Sequence, residues 1–137
     1  MKQRIGDPQL AKSSGRKAIY VPNQGDIVWA SLDDPPVGHE QGGHRRVLVV
    51  SPLAYNRLTS KALAFPITTR VKGYKFEVLI PDGMSTKGVI LSSEIKSIDW
   101  KARNFEFIEK APEDIVKGVI AQFVVLLPYL DEILEEP

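Results

Sequence analysis

Short segments in which apolar and polar residues alternate fill the chain between Gly25 and Lys110. Most are rich in β-branched or aromatic residues and are bounded by glycine, proline, asparagine or aspartate. This pattern is typical of β-strands separated by turns. It predicts strands at residues 25–32, 45–51, 61–69, 76–81 and 104–110, with one or two more between residues 88 and 100.

Three of these segments carry features that refine the prediction. The stretch RRVLVVS at residues 45–51 is apolar enough to be buried on both faces of a sheet. Pro66 predicts an edge strand or a bulge, because proline cannot donate to a ladder. Trp29 lies inside an alternating strand and is predicted to pack in the core. Trp100, at a strand end beside basic residues, fits a core position and a platform for a stacked base equally well.

The spacing of the apolar residues changes near the C-terminus. Pro112 is predicted at the first position of a helix, with Glu113 and Asp114 in the first turn, where acidic side chains interact favourably with the helix dipole. Apolar residues then recur at helical spacing until Pro128. A short helical turn is also predicted after Pro52. The chain is therefore predicted to be mainly β with α, as a small β-barrel with a C-terminal helix.

Length and composition indicate one globular domain. The 137 residues are 43% hydrophobic and 26% charged. Residues 1–18 are polar and aperiodic and are predicted to form a flexible N-terminal arm, which leaves 19–137 as a single domain. A net charge of +1 means that any polyanion site has to be a local patch. The absence of cysteine excludes thiolate chemistry and suits the reducing cytoplasm, and no apolar stretch is long enough to span a membrane.

A polar cluster in the loop before the second strand suggests metal-free chemistry. It contains His39, Glu40 and Arg45, and Thr68 ends a neighbouring strand. A base, a cation and a hydroxyl are the groups needed to cleave RNA through its own 2′-oxygen. His39 and His44 lack the spacing or the carboxylates of a metal site. The alternative interpretation is that Glu40 and Arg45 form an ion pair that holds a long loop, with both histidines in solvent.

Linked motifs around this cluster closely resemble the MazF/PemK/Kid family of toxin endoribonucleases. From about residue 20 to 127 they are GDIVW, GHEQ-x-G-x-R, SP-x-x-YN, P-x-T, KGY-x-FEV and KSIDW-x-AR. The resemblance implies an SH3-like barrel that works as a homodimer. It also implies sequence-specific cleavage of single-stranded messenger RNA without metal or cofactor, giving 2′,3′-cyclic phosphate and 5′-hydroxyl ends. The implied partner is an acidic, MazE-like antitoxin that fills the RNA groove.

The resemblance also implies roles for individual residues. Arg45 falls on the family's transition-state stabiliser, which is also a candidate general acid, and Thr68 falls on the threonine that bonds the scissile phosphate. His39 and Glu40 compete for the role of general base. Weaker matches to positions that line the RNA path are Gln41, Asn56, Lys72 and Tyr74.

Departures from the family pattern keep a second function open. Arg46 stands where the family usually has proline, and Ser93-Glu94 replaces a common Asp-Gln pair. Leu91 and Ser93 occupy positions where Kid-like members use a catalytic arginine and aspartate, so that version of the mechanism does not carry over. The alternative is a non-catalytic protein of the same fold, either an inactive relative or a CcdB-like inhibitor of a protein target.

Overall fold

The computed structural model describes residues 18–32 and 43–135, which form seven strands and three helices. The strands are β1 Asp26–Leu32, β2 Gly43–Val49, β3 Lys61–Thr68, β4 Glu77–Leu79, β5 Val89–Leu91, β6 Lys96–Asp99 and β7 Glu106–Lys110. The helices are α1 Leu53–Thr59, α2 Glu113–Val124 and α3 Leu130–Leu134. Every segment predicted as a strand contains one. Of the predicted arm only Ala18 lies within the described residues, and the single domain at 19–137 stays a prediction.

The strands form one antiparallel sheet that branches at β3. The order is β4-β5-β3-β2-β1-β7, and β6 pairs with β3 outside this path. The half of β3 from Lys61 to Ala64 pairs with β6, whereas Ile67 and Thr68 pair with β5. Among the described strands no backbone ladder joins β4 to β7, so the barrel is left open at this seam. The prediction of a mainly β fold with a C-terminal helix is confirmed.

Pro66 lies in an inner strand, so the predicted edge or bulge is wrong. The register of β3 against β2 runs without a shift from Ala64 to Ile67. Because the N–H of Val50 donates to the carbonyl of Leu63, the alternating ladder turns the nitrogen of Pro66 away from β2. It faces the gap where the partner of β3 changes from β6 to β5. Proline is tolerated there because no strand requires its missing N–H.

Two apolar clusters pack on opposite faces of the sheet, as strand alternation requires. One face contributes Val28, Val47, Val49, Ala62 and Ala64, which pack with Ile98, Trp100 and Phe105. The other contributes Ile27, Leu48, Phe65, Ile67 and Ile90, which pack against Val116 and Val119 of α2. The central strands β2 and β3 are therefore buried on both faces, which explains their nearly continuous apolar sequences.

The helix α2 covers the second cluster and is shorter than predicted. Pro112 is the N-cap rather than the first helical residue, and the helix ends at Val124 instead of near Pro128. A proline ring collides with the carbonyl four residues earlier, so Pro128 prevents a regular helix from continuing past Val124. The chain turns and forms the separate short helix α3. Within the described residues, no helix has the length and apolar character needed to cross a membrane.

The carboxylate of Glu109 bridges the open side of the sheet. Glu109 lies on β7, at one end of the strand order, and its oxygens accept four hydrogen bonds from the turn between β4 and β5, at the other end. The donors are the backbone N–H and hydroxyl groups of Ser85 and Thr86, at 2.5 to 3.2 Å. Partial burial alone raises the pKa of Glu109, but these hydrogen bonds outweigh it and hold the pKa below the ordinary value of 4.5.

We predict that Glu109→Gln removes a stabilisation that depends on pH. Because folding lowers the pKa of Glu109, the carboxylate stabilises the fold above the ordinary pKa of 4.5, and this contribution is lost as the pH falls through the folded-state pKa. Urea unfolding of both proteins at a series of pH values should show a difference in stability that is largest near neutrality and shrinks in acid. Glu106→Gln, an exposed change on the same strand, controls for loss of charge. A difference between wild type and Glu109→Gln that does not vary with pH would contradict this role.

Candidate active site

A cleft of about 730 Å³ lies where β2 begins and the antiparallel strand β3 ends. Its polar lining consists of His44, Arg45, Arg46, Thr68, Thr69 and Arg70. No carboxylate is among the described residues that line it, so three arginines give this surface a positive charge on a chain whose net charge is +1. Such a local concentration of cations attracts polyanions.

Sheet register brings Arg45 and Thr68 together in this cleft. The last β2–β3 pair is Arg46 with Ile67, and the same register continued by one residue sets Arg45 across from Thr68. Side chains that face each other across adjacent strands point to the same face. The hydroxyl oxygen of Thr68 accepts a hydrogen bond from the backbone N–H of Arg70 at 3.0 Å. This bond fixes the oxygen and leaves the hydroxyl proton for another acceptor.

The backbone of Thr68 is held by a close contact with Gly88. Gly88 has a φ of +116°, and a Cβ built on it would lie 2.1 Å from the carbonyl oxygen of Thr68. Only glycine fits this approach, since any side chain would displace the strand end. Val89, the next residue, pairs with Thr68 in the β3–β5 ladder. The position of Thr68 therefore depends on the turn that carries Gly88.

A second cleft of about 180 Å³ continues from the first, since the two share Thr68, Arg70 and Leu91. It includes Lys72 and Tyr74. The ammonium nitrogen of Lys72 lies 5.6 Å from the centre of the Tyr74 ring, within the range of a cation–π contact. The backbone N–H groups of Lys72 and Gly73 donate to the carboxylate of Glu77, which fixes this turn. Lys72 and Tyr74 thus extend the surface that begins at Arg45.

Three predicted site residues, His39, Glu40 and Gln41, lie outside the described residues. They fall between Leu32 and Gly43, which pair in the β1–β2 ladder next to His44. Because His44 lines the larger cleft, the described ends of this segment lie beside that cleft.

The predicted contact of Asn56 with RNA is wrong, because Asn56 is a structural residue inside the protein. It is fully buried. Its amide oxygen accepts a hydrogen bond from the Ser51 hydroxyl at 2.5 Å, and its amide nitrogen donates to the carbonyls of Pro22 and Ser51 at 2.8 and 3.1 Å. Its own carbonyl accepts the indole N–H of Trp100 at 2.7 Å. All of its polar groups are engaged inside the protein, which leaves none for a ligand.

The two tryptophans differ in burial in a way that the sequence did not predict. Trp29 is 38% exposed and lines the larger cleft, so its predicted place in the core is wrong. Its ring centre lies 5.8 Å from that of His44. Trp100 is only 4% exposed and belongs to the core. Trp29 shares a sheet face with Ile27, but at its position the face is lined by Arg46 rather than by apolar residues.

Comparison with known proteins supplies the context for this site. Residues 23–127 match the family described as PemK-like, MazF-like toxin of type II toxin–antitoxin system. The endoribonuclease toxin MazF of Escherichia coli is 48% identical over 84 residues, 61% of this chain and 74% of that protein. Endoribonuclease PemK of Escherichia coli is 35% identical over 105 residues, 73% of this chain and 78% of that protein. A crystal structure of MazE-MazF (Form-II) from Deinococcus radiodurans, at 43% identity, aligns with a TM-score of 0.75 and covers 80% of this chain and 98% of that one.

We predict that Asn56→Ala destabilises the fold by about 2–4 kcal/mol, because it leaves the carbonyls of Pro22 and Ser51 without their donor and creates a cavity. Arg57→Ala on the same helix, where the side chain is exposed, is the matched control and should change stability by less than about 0.5 kcal/mol. Urea unfolding measures both. Equal stabilities for the two variants would mean that the Asn56 network contributes little.

Proposed function

Because this chain belongs to the family of PemK-like, MazF-like toxins of type II toxin–antitoxin systems, we propose that it is an endoribonuclease that cuts single-stranded RNA in the arginine-lined cleft. The observation that carries the proposal is the placement of Arg45 across from Thr68 in a cleft whose described lining holds no carboxylate. The relatives from Escherichia coli are named endoribonucleases. Messenger RNA is the proposed substrate class and the cytoplasm the proposed place of action, because that RNA is found there.

The proposed reaction uses the 2′-hydroxyl of the substrate as the nucleophile. Its oxygen attacks the adjacent phosphorus while the bond from phosphorus to the 5′-oxygen breaks, giving a 2′,3′-cyclic phosphate and a 5′-hydroxyl. Negative charge builds up on the phosphate oxygens during this exchange. The planar guanidinium of Arg45 is suited to two of these oxygens, and the Thr68 hydroxyl, fixed by the N–H of Arg70, is suited to donate to one.

Two proton transfers complete the reaction. A base has to take the proton of the 2′-hydroxyl, and we propose His39 or Glu40 for this role. The leaving 5′-oxygen takes up a proton, for which Arg45 is the candidate donor. An unperturbed histidine titrates near pH 6.5 and a glutamate near pH 4.3. The acidic limb of the pH–rate profile therefore distinguishes the two candidate bases.

The proposed RNA path runs from the larger cleft into the smaller one. Trp29, exposed beside His44, offers an aromatic face on which a base can stack, and Tyr74 offers a second one beyond Thr68. The cations Arg70 and Lys72 line the smaller cleft together with the carboxylates of Glu77 and Glu94. The path thus combines stacking faces with cations, the combination found in proteins that bind single strands.

We also propose two protein partners. One is an acidic antitoxin, MazE-like in kind, that competes with RNA for the cationic cleft; the solved neighbour from Deinococcus radiodurans is a MazE–MazF complex. Such binding weakens as salt concentration rises. The other partner is a second copy of the chain. Exposed apolar side chains at the end of α2 support a homodimer, namely those of Val125, Leu126, Leu127 and Tyr129.

The purified protein is expected to cut a long RNA in the presence of EDTA into discrete fragments that end in cyclic phosphate. Arg45→Ala should slow cleavage by about 100-fold or more, because a donor aimed at the transition-state charge is lost. Arg57→Ala, an exposed arginine on α1 that lines neither cleft, is the matched control and should cleave like wild type. Gel analysis and end-group mapping measure both. Intact RNA with folded wild type would instead favour the non-catalytic binding protein.

If the protein is a homodimer through this surface, Leu126→Glu should lower the mass measured by sedimentation from that of two chains to that of one. The variant should also cleave less RNA at matched concentrations, while its circular dichroism stays unchanged. The physical reason is that a charge on an apolar interface has to be desolvated without a partner. Leu58→Glu provides the control, since Leu58 is 85% exposed on α1 and should stay dimeric and active. A fully active monomeric Leu126→Glu protein would contradict a dimeric active form.

A further inference from the structure

Arg46 is the cation that stands where the family usually has proline, and its side chain makes a specific contact with the protein. Its guanidinium Nη1 donates a hydrogen bond to the backbone carbonyl of Lys87 at 2.9 Å. The two residues are 41 positions apart, so the bond joins β2 to the turn between β4 and β5. On the sheet, Arg46 is flanked by its ladder partners Trp29 and Ile67.

The turn that Arg46 contacts is the one that fixes Thr68. Gly88, the residue after Lys87, presses against the carbonyl of Thr68 so closely that no Cβ fits between them. The carbonyl of Gly88 in turn accepts the N–H of Ile80 at 3.0 Å, which closes the hairpin. Gly88 is therefore the single residue that separates Lys87 from the contact with Thr68.

Two side chains from different strands hold this turn. Glu109 of β7 binds Ser85 and Thr86, and Arg46 of β2 binds Lys87 from the side of the cleft. Glu109 lies outside the described lining of the cleft, whereas Arg46 belongs to it. Of these two residues, Arg46 is thus the one that both lines the cleft and holds the turn.

We propose that Arg46 is a positioning residue for Thr68, acting through Lys87 and Gly88, and that it does not neutralise a substrate phosphate. The bond to the Lys87 carbonyl uses Nη1 and anchors the guanidinium to the turn, so a movement towards a phosphate large enough to break this bond would release the turn that places the Thr68 hydroxyl. The charge of Arg46 then contributes to geometry, and Arg45 and Arg70 supply the phosphate contacts. The proposal rests on the endoribonuclease function proposed above.

The test compares Arg46→Met, which keeps a long unbranched stem, with Arg70→Gln, an exposed arginine of the same cleft. Binding of a fully 2′-O-methylated RNA, which cannot be cut, is measured at several salt concentrations. For single strands each lost phosphate contact lowers the slope of log affinity against log salt by about 0.7. We expect the slope to be unchanged in Arg46→Met and lowered in Arg70→Gln.

Two further measurements follow the turn and the reaction. Hydrogen exchange should be faster in residues 85–89 of Arg46→Met and unchanged there in Arg70→Gln. For cleavage, kcat of Arg46→Met should fall by about 10-fold or more with KM nearly unchanged, because a misplaced catalytic group slows the chemical step rather than binding. Val119→Ala, a core variant on the buried face of α2, controls for lost stability and should keep the kcat of wild type.

The outcomes separate the possibilities. An unchanged salt slope, faster exchange in the turn and a lower kcat support the proposal. A slope lowered by about 0.7 with normal exchange makes Arg46 a phosphate ligand and overturns it. A normal kcat despite faster exchange also overturns it, since the turn would then not position Thr68. Failure of the wild type to cleave would refute the proposed function, while the binding and exchange measurements would still report on Arg46.

Discussion

One carboxylate, that of Glu109, connects the two ends of the sheet. Backbone ladders among the described strands stop at β4 and β7, so strand pairing leaves this side of the sheet open. Four donors of the β4–β5 turn converge on Glu109 and link the two ends by side-chain hydrogen bonds. Because the same turn carries Gly88 against Thr68, the link across the open side of the sheet and the strand end that lines the cleft share one turn.

Strand register places the residues of β2 and β3 that we propose for catalysis. The β2–β3 register, continued by one pair, sets Arg45 across from Thr68 where the two strands leave the apolar core, so a strand that is buried at Val47 lines the cleft two residues earlier. The polar groups are therefore carried at the ends of the two central strands, whose packing on both faces limits the reorganisation needed when charge develops on a substrate. This arrangement brings several arginines close together, and their charges repel one another. Solvent reduces this repulsion, and at Arg46 so does the contact with the Lys87 carbonyl.

The pattern of apolar residues and the turn residues were sufficient to predict the strands and the C-terminal helix, because this pattern follows burial. The central strands, packed on both faces, are nearly continuous apolar runs, and α2, packed on one face, has apolar residues at helical spacing. The motif around Arg45 indicated a site at this end of the sheet, because its polar residues immediately precede the buried part of a strand. Asn56 could not be predicted as a core residue, since its burial depends on Pro22, Ser51 and Trp100 converging from distant parts of the chain. Trp29 was misplaced because alternation gives the face of a strand but not the point at which that face stops being covered. Pro66 was misread because the branch in the sheet, which makes room for it, is a tertiary feature.

The two tryptophans of the chain lie in different environments, so each can serve as a separate fluorescence reporter. Trp100 is enclosed in the core and bonded to Asn56, whereas Trp29 faces the cleft beside His44. Emission from a buried indole lies to the blue of emission from a hydrated one, so intrinsic fluorescence contains a core component and a cleft component. Occupation of the cleft alters the second and leaves the first, while unfolding alters both. Single-tryptophan versions of this protein therefore separate ligand binding from folding without any attached dye.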